Sequence, residues 1–87
     1  MSAPLDPRLK RLHFRSWHRG TREMDLLLGG FAERHLGGLS ESELAQYEAL
    51  LEVADPEIYS WIAGQAPVPP AFDNAVMKLI LNFKIAH

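Results

Sequence analysis

The chain has 87 residues, 47% of them hydrophobic, with no cysteine and a formal net charge of −2. That length suffices for one compact domain with a modest core. The lack of thiols excludes a disulfide scaffold, a cysteine nucleophile and a cysteine-ligated zinc site, and no apolar run approaches the length of a membrane span.

The charge is unevenly placed. Residues 1–22 carry Arg8, Lys10, Arg11, Arg15, Arg19 and Arg22 against Asp6 alone, whereas residues 23–87 carry Arg34, Lys78 and Lys84 against ten acids. One end is a cationic surface, which is either a solvated helix face or a surface for an anionic partner. The stretch Met1-Ser2-Ala3-Pro4-Leu5-Asp6-Pro7 has neither the apolar core of a signal peptide nor the composition of a transit peptide, so a bacterial cytoplasmic protein is expected.

Asp6-Pro7 reads as an N-cap followed by proline in the first helical position, opening a helix from about Pro7 to His18 that stops at Gly20. On a helical wheel Leu9, Leu12 and Ser16 share the packing face, Arg8, Arg11, Arg15 and Arg19 form a second stripe, and Phe14 and Trp17 lie on a third side. That aromatic pair either covers a neighbouring helix or stands exposed as a docking patch. Thr21 caps helix two, whose stripe is Met24, Leu27, Leu28 and Phe31, broadened by Leu26, and which ends near Leu36. Gly29-Gly30 inside this pattern predicts either close approach of another helix or a kink.

Ser40 and Glu43 form a capping box for a helix from Glu41 to about Val53, with Leu44, Tyr47, Leu50 and Leu51 inward. Asp55-Pro56 repeats the device of the first helix and opens a short helix that buries Ile58, Trp61 and Ile62 and ends at Gly64. Pro67-Val68-Pro69-Pro70 is an extended linker, and Pro70 begins a fifth helix carrying Phe72, Val76, Leu79, Ile80 and Phe83 to about Lys84. No strand pattern appears. The expected fold is all-α, a small single-domain bundle of about five helices over residues 1–87, with frayed tails at 1–6 and 85–87.

Catalytic chemistry has little support. His13, His18 and His35 are scattered, no pair of histidines stands at metal-ligand spacing on a helix, and Ser40 and Ser42 are accounted for by capping. The paired glycines form no GxGxxG and follow no strand, which excludes a dinucleotide fold. No catalytic site and no metal are therefore expected. The basic first helix could track nucleic-acid phosphates. Against that, helix two opens Arg22-Glu23-Met24-Asp25 and turns apolar, where a recognition helix would present base-reading polar groups.

The remaining constellation is the junction of helices one and two, His18-Arg19-Gly20-Thr21-Arg22-Glu23-Met24-Asp25. A local reading has Arg19 meeting the C-terminal dipole of helix one, Gly20 turning the chain and Glu23 favouring the start of helix two. A junction needs a glycine and a cap. The further charges point to contact with something else.

Arg19-Gly20-x-x-Glu23 matches the RGxxE motif of the SdhE family of succinate dehydrogenase assembly factors. The lead-in Arg15-Ser16-Trp17-His18, the continuation Glu23-Met24-Asp25-Leu26-Leu27-Leu28, Phe31-Ala32, Leu39-Ser40 and the run from Leu50 through Asp55-Pro56 to Trp61 resemble the family in order, over roughly residues 8–84. The resemblance implies a small five-helix fold. It also implies an assembly factor that is not an enzyme. Such a factor binds the flavoprotein subunit of succinate dehydrogenase, with that of fumarate reductase as a second client, and promotes covalent attachment of FAD to a histidine there. FAD would be handled in the client, with no cofactor held stably by this chain, and the factor would act as a monomer, without nucleic acid or membrane insertion. The family's functional surface falls on Arg19, Gly20 and Glu23; position adds Arg15, His18, Arg22 and Asp25 as partner-binding candidates. The competing reading is a small nucleic-acid-binding or antitoxin-like regulator that uses the basic first helix.

Overall fold

A computed structural model describes residues 6–86, with side chains described through Phe83. Among the described residues there are five α-helices in the expected order, two short 3-10 turns and no strand. The chain divides into two compact units, residues 1–38 and 39–87. Of the tails expected at 1–6 and 85–87, residues 1–5 and 87 lie outside the described residues; Asp6 caps the first helix and the last helix runs to Ala86.

The first unit holds α1 (Pro7–Trp17), α2 (Arg22–His35) and a 3-10 turn, Leu36–Gly38. Helix α1 starts where cap chemistry dictates: the Arg8 N–H donates to Asp6 Oδ1 at 2.7 Å, and Pro7 occupies a position that needs no N–H. Its buried face is Leu12 and Ser16, with Leu9 half-buried. Ser16 tolerates full burial because its hydroxyl donates to Leu12 O at 2.7 Å within the same helix. The helix ends one residue before the expected His18, which is its C-cap.

Helix α2 is capped by Thr21, whose Oγ1 accepts the Met24 N–H at 3.2 Å. Glu23 and Asp25 sit in its first turn and Arg34 in its last, charges placed favourably in the helix dipole. Met24, Leu28, Phe31 and Ala32 are buried, as is Leu36 beyond the helix. Leu26 departs from the expected stripe and is 54% exposed, since it stands about 200° around the helix from both Met24 and Leu28.

The aromatic pair of α1 separates. Trp17 lies on α2 at Gly29, so closely that a Cβ at Gly29 would fall 2.2–2.6 Å from three indole carbons. Of the two readings of Gly29-Gly30, close approach is the one that holds at Gly29. The indole N–H reaches Glu33 Oε2 at 3.3 Å. Phe14 instead is 63% exposed.

The second unit holds α3 (Glu41–Leu51), α4 (Asp55–Ile62), a 3-10 turn at Pro70–Phe72 and α5 (Ala75–Ala86). The capping box of α3 is complete: the Glu43 N–H donates to Ser40 Oγ at 3.2 Å and the Ser40 N–H to Glu43 Oε1 at 2.9 Å. The expected inward set, Leu44, Tyr47, Leu50 and Leu51, is buried, and the helix closes two residues short of Val53.

Two helix starts differ from expectation. Ala54, not Asp55, is the N-cap of α4, because the Glu57 and Ile58 N–H groups both donate to Ala54 O and Asp55 already lies inside the helix. Helix α4 then ends at Ile62, before Gly64. Pro70 opens the separate 3-10 turn rather than α5; Asp73 leaves helical geometry and Asn74 restarts it, its Oδ1 accepting the Met77 N–H at 3.0 Å. Phe72 consequently sits outside α5 and stacks on Trp61 with ring centroids 5.4 Å apart. The buried residues described on α5 are Val76, Met77, Ile80 and Phe83, with Leu79 only half-buried, and Gln46 of α3 accepts the Val76 N–H at 3.3 Å.

Candidate functional site

The turn between α1 and α2 is shaped by its own backbone. Gly20 adopts φ +118°, a conformation that L side chains rarely enter. Space is not the reason for glycine here, since a Cβ at this position would meet nothing within 4 Å. Asp25, in the first turn of α2, reaches back so that its Oδ1 accepts the Arg19 N–H and, at 3.3 Å, the Gly20 N–H. The carboxylate thus satisfies two N–H groups that the end of α1 and the turn leave open, while the Asp25 N–H starts the α2 ladder on Thr21 O at 2.9 Å. Asp25 and Thr21 together fix the path of the chain through Gly20.

What the turn displays is mixed in charge. His18, Gly20, Thr21, Arg22 and Glu23 are exposed, and Arg15, Arg19 and Asp25 are half-buried. The His18 ring stacks on Phe14 at 4.0 Å and 19°, and its Nδ1 lies 2.7 Å from Phe14 O, a contact that makes Nδ1 the donor. Beside the turn is an open depression of about 600 Å³, lined by Trp17, His18, Gly20, Thr21, Arg22, Asp25 and Leu26.

Of the residues singled out in the sequence, His18, Gly20, Arg22 and Asp25 meet at this depression, while Arg15, Arg19 and Glu23 do not line it. Trp17, Thr21 and Leu26 line it too and are not among the partner-binding candidates; the sequence leaves Trp17 either covering a neighbouring helix or docking a partner. Leu26 was legible in principle, because its wheel position falls off the buried stripe. Trp17 was not, because its place depends on Gly29 twelve residues away. Among the described residues no group of three or more His, Asp or Glu could hold a metal ion, and no helix is long and apolar enough to cross a membrane.

A small all-α chain with a braced, outward-facing RGxxE turn is the setting for the comparison with known proteins. The family model described as flavinator of succinate dehydrogenase matches residues 10–84, and the chain belongs to that family. It is 45% identical over 71 residues to succinate dehydrogenase assembly factor 2, mitochondrial, of Dictyostelium discoideum, covering 82% of this chain and 50% of that protein. It is also 45% identical over 65 residues to the FAD assembly factor SdhE of Acetobacter pasteurianus, covering 75% and 60% respectively. A third relative, succinate dehydrogenase assembly factor 2-A, mitochondrial, of Drosophila mojavensis, is 40% identical over 79 residues, 88% of this chain and 50% of the relative. The chain therefore spans between 50% and 60% of the length of these curated relatives.

Proposed function

We propose that this protein is an FAD assembly factor for succinate dehydrogenase. It binds the flavoprotein subunit and promotes covalent attachment of FAD there by stabilising a client conformation that holds the flavin against its acceptor. The flavoprotein of fumarate reductase is a second client. The factor acts without a catalytic site of its own, as a monomer, and leaves FAD in the client.

The observation that carries this reading is the RGxxE turn held outward by Asp25 and Thr21 on a chain of this family. A turn with its backbone fixed in advance loses little conformational entropy when a partner docks. Glu23 and Arg22 stand exposed at its edge, one of each sign, available for charge-assisted hydrogen bonds to the client.

The test combines the full chain with the apo flavoprotein subunit and FAD, and reads flavin fluorescence on that subunit after denaturing electrophoresis. The expected result is a faster and larger signal than from the subunit alone; no gain overturns the reading. Glu23→Lys is expected to remove the gain while circular dichroism stays helical, because Glu23 is exposed at the start of α2 and lies outside the buried core.

A further inference from the structure

The described residues expose three large hydrophobic side chains, Phe14, Leu26 and Tyr59, and the first two belong to the unit that carries the turn. Phe14 stacks on His18, and His18 and Leu26 line the depression beside Gly20. Phe14 thus adjoins the depression through the His18 ring, and Trp17 and Leu26 are the apolar side chains of its lining. Arg22 lines the same depression, and the segment leading into it holds six Lys or Arg residues against one acid. Asp25, the one acid in the lining, is engaged by the Arg19 and Gly20 N–H groups, which leaves exposed apolar side chains beside cationic ones as a surface for another molecule. The volume of about 600 Å³ accepts one or two side chains of a partner.

We propose that this depression receives an apolar side chain carried on an acidic segment of the client protein, with Leu26 and Phe14 as its apolar contacts and Arg22 as the partner of the flanking carboxylate. The inference rests on the assembly-factor reading and names the chemistry of the surface that the turn meets. The charge of residues 1–22 selects an acidic segment, and the exposed Leu26 and Phe14 require that the segment also bring an apolar group. The contact adjoins Gly20, so the depression and the turn are covered by the client together.

The experiment measures the affinity of the full chain for the flavoprotein subunit by calorimetry at two salt concentrations, with circular dichroism on every variant. Leu26→Glu and Phe14→Ser are each expected to weaken binding by about tenfold or more, as for a central anchor, whereas Leu26→Met and Tyr59→Ser stay within about twofold. Arg22→Gln is expected to weaken binding and to flatten its salt dependence. Binding by the unaltered chain that Leu26→Glu and Phe14→Ser leave unchanged overturns this proposal alone; no binding by the unaltered chain overturns the assembly reading with it. An Arg22→Gln variant with the original salt dependence overturns the acidic character of the segment. A parallel titration with FAD and no client is expected to give no saturable signal; saturable binding that Leu26→Glu abolishes would replace the client segment with the flavin.

Discussion

Gly20 and Asp25 shape the turn in different ways, and single substitutions separate them. Gly20→Ala should cost about 1–3 kcal/mol, all of it from the positive φ, because the new methyl group has open space around it. Urea unfolding measures that cost, and a loss under 0.5 kcal/mol would mean that the turn relaxes to another conformation. Asp25→Ala removes the acceptor for two N–H groups and should destabilise the chain by about 1–3 kcal/mol, while Asp25→Asn keeps an acceptor oxygen and should cost less. Equal losses for the two Asp25 variants would show that its charge, rather than its hydrogen bonds, holds the turn. Residue-level cap chemistry was readable in advance at Asp6, Thr21 and Ser40, because a cap is satisfied within a few residues of itself. Asp25 read as an early acid of α2 and a partner-binding candidate; its reach back to Arg19 and Gly20 depends on the angle at which α1 arrives.

At the scale of the helices, the contact of Trp17 with Gly29 fixes how α1 lies against α2. Gly29→Ala places a methyl group inside the indole and should cost about 1–3 kcal/mol by overpacking, although alanine is the better helix former. Combining it with Trp17→Ala should recover part of the loss, so the double-mutant cycle gives a coupling of opposite sign to additive damage. Equilibrium unfolding of the four proteins reads this out, and simple additivity would place the two residues out of contact. In the second unit Ser40→Ala should cost about 1 kcal/mol through loss of the capping box. Element order and the inner face of α3 were legible because their signals agree: cap, period and terminating residues coincide. The start of α5 was not, because Pro70 and Asn74 are both good helix starters. Phe72, drawn onto Trp61, settles the chain on the second of them.

For the molecule as a whole the charge divides with the two units. Residues 1–38 carry seven Lys or Arg against four Asp or Glu, and residues 39–87 carry two against seven. An acidic partner is therefore attracted by the first unit and repelled by the second. Association with the proposed client should slow severalfold between about 50 and 300 mM salt. Replacing Arg8, Lys10 and Arg11 with glutamine should reduce that dependence, as stopped-flow fluorescence would show; a rate indifferent to salt would remove steering from the account. This asymmetry was visible in the sequence alone, whereas the depression that brings Trp17 and Leu26 beside Gly20 was not.

The notch at Gly29 has a consequence for inheritance. One volume is shared by two positions, so neither can change freely: a lineage that gains a side chain at 29 must first, or at once, shrink the one at 17. Across descendants of this chain the two positions should drift as a pair, tryptophan with glycine and a small residue with a larger one.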